Sequence, residues 1–253
     1  MVTIILLVSR NYYLQKVFYN LDRLYCDPAE TNLLCYVDGD LRLYQETRDF
    51  VTASKFHQKL CVYRKKGTPS VGSVRRRRQR IADIHNELKE NIKDADFLFL
   101  IEDDTIFPTS TLETLLLNMS NYPYAGIISG VEIGRWGYTM IGAWQADDVY
   151  EPQRIVSVAN GSGIQKVDAT GLYCCIVRKS VYMDHNFAPL DDVLGPDVNF
   201  GLNLRRKGLD NYINYDIKCI HLTQKEPITV EGSQIVRVEI KKINDKWMQS
   251  RLN

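Results

Sequence analysis

The stretch that decides the fold is Phe97-Leu98-Phe99-Leu100-Ile101-Glu102-Asp103-Asp104-Thr105-Ile106-Phe107-Pro108. Its five leading apolar residues predict a strand buried on both faces, like the central strands of a parallel sheet. Three carboxylates follow where that strand ends, and open α/β sheets bind ligands at this end of their strands. Adjacent carboxylates repel one another unless a cation or hydrogen-bond donors balance them. The stretch therefore predicts either a ligand site or an acidic turn that faces water.

The composition favours one globular domain with no strong bias in charge. The chain has 253 residues, 45% hydrophobic and 25% charged, with a net charge of +1. This length suffices for one large α/β domain, and the composition argues against disorder. A charge of +1 gives no overall attraction to nucleic acid or membrane, so a basic partner surface has to be local.

The apolar and cysteine patterns predict a cytoplasmic protein without a membrane span. No apolar run approaches the ~20 residues that a spanning helix needs. The start, residues 1–9, lacks a basic flank and a cleavage site, so it predicts a first strand instead of a signal peptide. The six cysteines have no paired metal-ligand spacing, which favours buried free thiols in a reducing compartment.

The first third of the chain predicts a β-α-β unit. Residues 2–8 and 33–37 are apolar strands, a helical pattern runs from Leu14 to Leu24 between them, and Asp38 follows the second strand. No Gly-x-Gly-x-x-Gly follows the first strand, and no Gly-Lys-Ser or Gly-Lys-Thr is present. The sequence therefore argues against a dinucleotide enzyme and against a P-loop NTPase.

A basic helix is predicted over residues 73–92, just before the opening strand. Its arginines are Arg75, Arg76, Arg77, Arg78 and Arg80. They either form a solvated helix face or include one or two residues that neutralise a diphosphate near the helix start.

The second half of the chain alternates predicted strands and helices. Residues 110–119 predict a helix, 124–131 a buried strand, and 132–160 an irregular segment rich in Gly, Trp and Tyr. Asp197 begins a helix that ends at Gly208, as a cap or as a functional acid. Residues 213–222 predict a last strand, on which His221 is either structural or a ligand, and residues 234–240 a strand-like piece in the tail.

This order of motifs resembles the GT-A glycosyltransferases, especially the family 2-like branch with its compact stand-alone forms in phages and bacteria. Besides the opening stretch, the resemblance rests on Asp168-Ala169-Thr170-Gly171 through Arg178, and on Pro196-Asp197-Val198-Asn199-Phe200 through Gly208 with His221 after it. It implies an α/β GT-A (Rossmann-like) fold, a single domain over 1–253 with a mostly parallel central sheet flanked by helices. Within it, 1–104 would bind the nucleotide sugar, 105–223 would hold the acceptor and catalytic half, and 224–253 would be a tail.

The resemblance also implies donor-side roles. Asp104, with Glu102 and His221, would bind Mn²⁺ or Mg²⁺, and the imidazole favours Mn²⁺. Glu102 or Asp103 would face the ribose of a nucleoside diphosphate sugar, most simply a UDP-sugar. The residues that would contact the nucleoside and the diphosphate are Ser9, Asp38 and Arg77.

Asp197 would be the general base of an inverting transfer, which removes the proton of the acceptor hydroxyl. The family pattern usually has Glu-Asp here, whereas this chain has Pro196-Asp197. Without this first acid, the sequence does not indicate which residue binds the acceptor. Retention of configuration at the anomeric carbon also stays an alternative.

Alternatives remain for the activity and for the acceptor. A nucleotidyltransferase also uses acid-bound metal but usually carries a Gly-rich basic signature after its first strand, which is missing here. A non-catalytic GT-A-like binding module would not need Asp104, Asp197 and His221 together. The acceptor is a glycan or small molecule, or a hydroxymethylated base in phage DNA. For DNA, the arginines 75–80, Lys65-Lys66 and the aromatic side chains would bind backbone and flipped base; the aromatic set is Trp136, Tyr138 and Trp144.

Overall fold

The computed structural model of the chain describes residues 1–65, 74–135, 139–191, 193–223 and 226–252. Some predictions fall outside these residues or on side chains that are not described: Lys65, Lys66, Arg75, Trp136 and Tyr138. Among the described residues, no helix is long and apolar enough to cross a membrane.

Strands and helices alternate along the first half of the chain, and short strands dominate the second half. The strands are β1 Val2–Val8, β2 Thr31–Gly39, β3 Lys59–Lys65, β4 Phe97–Glu102, β5 Thr105–Ile106, β6 Ala125–Val131, β7 Ile133–Arg135, β8 Thr139–Ile141, β9 Ala143–Ala146, β10 Arg154–Ser157, β11 Ile164–Val167, β12 Ala169–Thr170, β13 Cys174–Arg178, β14 Asp210–Lys218, β15 Ile220–His221, β16 Val238–Ile243 and β17 Lys246–Arg251. The α-helices are α1 Leu14–Asp22, α2 Leu41–Ala53, α3 Val74–Glu87, α4 Thr111–Asn121, α5 Lys179–Asp184 and α6 Pro196–Arg206.

The central sheet has eight strands in the order β11-β14-β6-β13-β4-β1-β2-β3. Strands β3, β2, β1, β4, β6 and β14 run in one direction, and β13 and β11 run against their neighbours. The prediction of a mostly parallel central sheet is confirmed. Because these six strands share a direction, the residues after them gather at one edge of the sheet.

Two hydrophobic cores cover the two faces of this sheet. Successive residues of β1 alternate between them, since Ile4 and Leu6 belong to one core and Ile5 to the other. Helices α1, α2 and α4 pack in the first core, and α3, α5 and α6 pack in the second. This two-sided burial explains why the central strands have uninterrupted apolar sequences, as β4 does.

The prediction that 132–160 is irregular is wrong. The structure has β7, β8, β9 and β10 there, and β9 and β10 belong to a five-stranded sheet in the order β12-β9-β10-β16-β17. Each of these strands is only three or four residues long, so its sequence shows no clear alternation. Their stability comes from partners distant in sequence, which a local pattern does not reveal.

The tail is a β-hairpin rather than one strand-like piece and a charged end. Strands β16 and β17 pair across Asn244 and Asp245, which both have positive φ (48° and 59°), as a two-residue hairpin turn requires. The strand starts at Val238 instead of the predicted Gln234. The five-stranded sheet packs on α6 through Trp144, Val198 and Val238, among others, so the described chain forms a single domain.

Candidate active site

The candidate site lies where β1, β2, β4 and β6 end. The register aligns Leu7 of β1 with Glu102 of β4, and Val8 with Val37 of β2. The side chains that follow these strands therefore share one edge. They line one wall of a cavity of about 750 Å³, a size typical of ligand pockets.

Asp103 joins the ends of β1 and β4. Its Oδ2 accepts hydrogen bonds from the amides of Ser9 (2.6 Å) and Arg10 (2.7 Å), and the Ser9 hydroxyl lies 3.3 Å away. Its Oδ1 accepts bonds from Arg10 Nε (2.9 Å) and Nη2 (2.6 Å). Asp103 is buried, and burial raises its pKa while Arg10 lowers it. Ser9 and Asp103, both predicted at the donor, thus bond to each other, and both border the cavity.

Asp104 and His221 are brought together by a short two-stranded sheet. Strand β15 pairs with β5 so that His221 is opposite Thr105, and the Leu222 amide donates to the Asp104 carbonyl oxygen (2.7 Å). His221 Nε2 lies 3.2 Å from Asp104 Oδ2, and Arg10 Nη1 lies 2.8 Å from the same oxygen. The two predicted metal ligands, 117 positions apart in sequence, are therefore neighbours.

Glu132 adds a fourth acid to which the sequence assigned no role. It follows β6, is buried, accepts a hydrogen bond from Thr105 Oγ1 (2.8 Å) and lies 3.2 Å from His221 Nδ1. Burial raises the pKa of Glu132 well above its usual range. Burial alone would lower the pKa of His221, but the hydrogen bond to Asp104 and the charges of Glu132 and Asp104 raise it to about 9. Withdrawal from water and the charge of Asp104 raise the pKa of Glu102 to about 7.

These residues determine how well a divalent cation fits. No group of three or more His, Cys, Asp or Glu side chains within the described ranges has the geometry of a complete metal site. Glu102, Asp104 and His221 nevertheless face one cavity and offer carboxylate oxygens and an imidazole. This donor set suits Mn²⁺, and Mg²⁺ and Mn²⁺ in phosphate sites take one or two carboxylates and complete their shell with substrate oxygens. Glu102, Asp104 and His221 therefore fit Mn²⁺ or Mg²⁺ when the oxygens of a bound substrate complete the coordination shell.

A second anchoring point lies at the end of β2. Asp38 is buried and borders the cavity, and its Oδ2 accepts a hydrogen bond from Arg80 Nε (2.5 Å). Its Oδ1 has no hydrogen-bond donor among the described residues, and Arg64 Nη1 is 3.8 Å away. Arg64 also donates to Glu87 (2.8 Å), which in turn accepts a bond from Tyr36 (2.7 Å). One buried carboxylate oxygen of a residue that borders the cavity thus lacks a hydrogen-bond donor among the described residues.

The arginines of α3 face the cavity as a row. Arg77, Arg78 and Arg80 all border it, with Arg77 exposed and Arg78 buried. Arg77 is the predicted diphosphate contact, and the row brings Arg78 and Arg80 to the same wall. Among the described arginines of α3, Arg76 and Arg77 are exposed, whereas Arg78 and Arg80 are largely withdrawn from water.

Asp197 also borders the cavity, in the first turn of α6. Gly195 is the residue before the helix, and a Cβ there would overlap Asp197 Oδ1. Gly201, one turn later, lies so close to Ala169 of β12 that a Cβ would be 2.5 Å from the Ala169 Cα. Burial raises the pKa of Asp197, while the charge of Arg78 lowers it. The acid is therefore held rigidly and is a better proton acceptor than an ordinary aspartate.

The remaining wall is mostly apolar and comes partly from segments without a predicted role. It includes Met140, Trp144 and Val193 near Asp197, and Ile240 and Gln249 from the C-terminal hairpin. Arg10, Glu132 and this hairpin are the site elements that sequence reasoning missed. A signal for the first two exists, because each lies at the carboxyl end of a buried parallel strand, as Asp38 and Glu102 do.

Comparison with known proteins rests on structure alone. No protein-family model matches the chain, and no curated protein sequence matches it. The fold is similar to that of A197 from STIV, at 10% identity over 92% of each chain with a TM-score of 0.51. It is also similar to S. aureus TarS 1-349 in complex with UDP-GlcNAc, at 10% identity over 93% of this chain and 62% of that one, with a TM-score of 0.56.

The mannosyltransferase PcManGT from Pyrobaculum calidifontis, in complex with GDP-Man and Mn²⁺, is a third similar structure. Its identity is 12%, over 85% of this chain and 55% of that one, with a TM-score of 0.57. At these identities the similarity establishes the fold and not the activity. The chain has the GT-A fold that its sequence predicts.

Proposed function

We propose that the protein is a metal-dependent glycosyltransferase that moves a sugar from a nucleoside diphosphate sugar to an acceptor hydroxyl. The observation that carries the proposal is one cavity bordered by Asp104 with His221, by the arginines of α3 and by Asp197. The first two groups suit a metal–diphosphate anchor, and the third suits removal of a proton from the acceptor. The similar structures in complex with UDP-GlcNAc and with GDP-Man and Mn²⁺ support the same class.

On the donor side, Asp104, Glu102 and His221 hold the divalent cation in this proposal, with Mn²⁺ favoured by the imidazole. When bound, the cation offsets negative charge that builds on the leaving diphosphate. Arg77 adds positive charge at the same group. Glu102 also faces the ribose, and Asp103 acts by fixing Ser9 and Arg10 beside the donor.

The residues around Asp38 favour a uracil base. Uracil presents one N–H between two carbonyl oxygens, whereas guanine presents two adjacent N–H groups and needs two acceptors. Asp38 offers a single acceptor, Oδ1, because Arg80 already bonds to Oδ2. Arg80, which also borders the cavity, supplies a donor for a neighbouring carbonyl oxygen in this proposal. The donor is therefore a UDP-sugar in this proposal.

Asp197 acts as the general base. It takes the proton of the acceptor hydroxyl while that oxygen bonds to the anomeric carbon and the bond to the diphosphate oxygen breaks. Its raised pKa favours proton uptake, and attack by the activated hydroxyl from the face opposite the diphosphate would invert the anomeric centre. The acceptor enters beside Trp144 and Val193, on the apolar wall.

Incubation with UDP-, GDP- and TDP-sugars and Mn²⁺ tests the proposal, with released nucleotide followed by mass spectrometry. Acceptors would include glycans, small alcohols and duplex DNA with hydroxymethylated bases. Release of UDP from a UDP-sugar, lost on chelation of the metal, is the expected result. Release of pyrophosphate would indicate a nucleotidyltransferase instead, and no release with any donor and acceptor would indicate a binding module.

A further inference from the structure

Arg10 occupies a position that the proposed donor site does not explain. Three nitrogens of its guanidinium contact two different acids: Nε and Nη2 bond to Asp103 Oδ1, and Nη1 lies 2.8 Å from Asp104 Oδ2. The backbone amide of Arg10 is bound by Asp103 as well (2.7 Å). The side chain is 40% exposed and borders the cavity, so it is accessible to a ligand there.

The two carboxylates hold this arginine in different ways. Both carboxylate oxygens of Asp103 accept hydrogen bonds from Ser9 or Arg10, and these bonds fix Nε and Nη2 of the Arg10 guanidinium. Asp104 contacts the third, outer nitrogen Nη1, and both residues border the cavity. An arginine fork can hold one carboxylate with two nitrogens and still turn its third nitrogen to another anion. The contact with Asp104 can thus be exchanged while the contact with Asp103 is kept.

We infer that Arg10 is a built-in counter-cation that holds Asp104 in the donor-free protein and transfers its outer nitrogen to the donor diphosphate when nucleotide binds. A divalent cation alone then meets a carboxylate oxygen that already carries a positively charged partner, so it binds weakly. A nucleoside diphosphate gives Arg10 a new anionic partner and releases Asp104. Metal and nucleotide binding are coupled by this exchange, and the coupling acts equally in both directions. The inference rests on the proposed metal–donor site.

Mn²⁺ binding without turnover tests this exchange. Mn²⁺ affinity would be measured by electron paramagnetic resonance and by calorimetry, with no nucleotide and with saturating UDP, in the full chain. The variants are Arg10→Gln, which removes the charge, Arg10→Lys, which keeps it, and Arg42→Gln. Arg42 pairs with Glu46 on the surface of α2, at 81% exposure, so its variant controls for the loss of one positive charge.

In the wild type, Mn²⁺ is expected to bind weakly alone and much more tightly with UDP. Arg10→Gln should bind Mn²⁺ alone tighter on the order of tenfold, because a positive charge next to the site is gone, and should gain less from UDP. Arg42→Gln should stay within about threefold of the wild type, the usual range for a surface charge. Arg10→Lys keeps the charge but cannot form the planar fork, so its gain in Mn²⁺ affinity should be smaller than that of Arg10→Gln. Unchanged affinity in Arg10→Gln, or an equal gain in Arg10→Lys, would overturn the inference while leaving the donor site intact.

Two further readouts separate the remaining outcomes. Absence of Mn²⁺ binding to the wild type even with UDP would refute the proposed metal site, and the inference with it. If Arg10→Gln does not fold, a crystal structure of the wild type with UDP and Mn²⁺ decides the question. Arg10 Nη1 should then contact a diphosphate oxygen, and an Nη1 that still contacts Asp104 would overturn the exchange.

Discussion

Replacement of Gly201 by alanine should slow transfer without weakening the donor site. The added Cβ would lie 2.5 Å from the Ala169 Cα, 2.6 Å from its Cβ and 2.9 Å from the Asp168 carbonyl oxygen. Carbon atoms pack at about 3.5–4.0 Å, so α6 has to move away from β12 by about 1 Å. Asp197 is four residues earlier on the same helix face and moves with it. A misplacement of about 1 Å costs on the order of 10²-fold in rate.

The free energy of unfolding should fall as well, because overpacking costs about 1–3 kcal/mol. Alanine favours a helix over glycine by about 1 kcal/mol, which offsets part of this loss. The assay compares UDP release at saturating donor with UDP affinity by calorimetry and with the thermal midpoint. Gly232→Ala is the control, because its Cβ meets the movable Thr229 hydroxyl, at 3.1 Å, and no backbone atom among the described residues. Unchanged turnover in Gly201→Ala, or an equal loss of UDP affinity, would refute the reasoning about α6.

Three further predictions concern single side chains. Asp197→Asn should lower turnover by about 10²–10⁴-fold with UDP affinity unchanged, since the amide cannot take up the proton; normal turnover would remove Asp197 from the mechanism. Asp38→Asn should weaken UDP about 10–100-fold, by loss of a charge-assisted hydrogen bond, and leave GDP affinity unchanged; equal losses for both nucleotides would contradict the uracil assignment. Acid should destabilise the fold through His85, whose pKa burial lowers to about 3. The unfolded chain binds this proton below pH ~6.5 and the native protein does not, so about 2 kcal/mol is lost by pH 5. Urea unfolding at pH 7 and pH 5 measures the loss, which His85→Gln should reduce and the exposed His57→Gln should not; an undiminished loss in His85→Gln would exclude His85 as its source.

The sequence predicts the parallel core of the fold because its strands are buried on both faces. β1, β2 and β4 are long apolar runs, and acids follow two of them, so the amino-acid order alone indicates which edge of the sheet binds ligands. The start of the helix that carries Asp197 follows from Gly195-Pro196, and Gly208, with φ +77°, follows the helix end as predicted. These features depend on local chemistry.

The five-stranded sheet and the contacts of Glu132 and Arg10 depend on partners that are distant in sequence. Strands β9 and β10 become strands through pairing with each other and with β12 and β16, which their own sequences do not specify. Glu132 follows a buried strand, but its place in the site is defined by its contact with His221, 89 residues later in the chain. Arg10 resembles an ordinary turn residue until Asp103 and Asp104 are seen around it.

The most direct test of the donor site is the anomalous scattering of Mn²⁺ in crystals grown with UDP. We expect one strong peak in contact with Asp104, with Glu102 and His221 nearby and the diphosphate between the peak and the arginines of α3. A uracil ring at Asp38 Oδ1 should accompany it. A metal peak away from Asp104, or UDP bound outside this cavity, would contradict the proposed donor site.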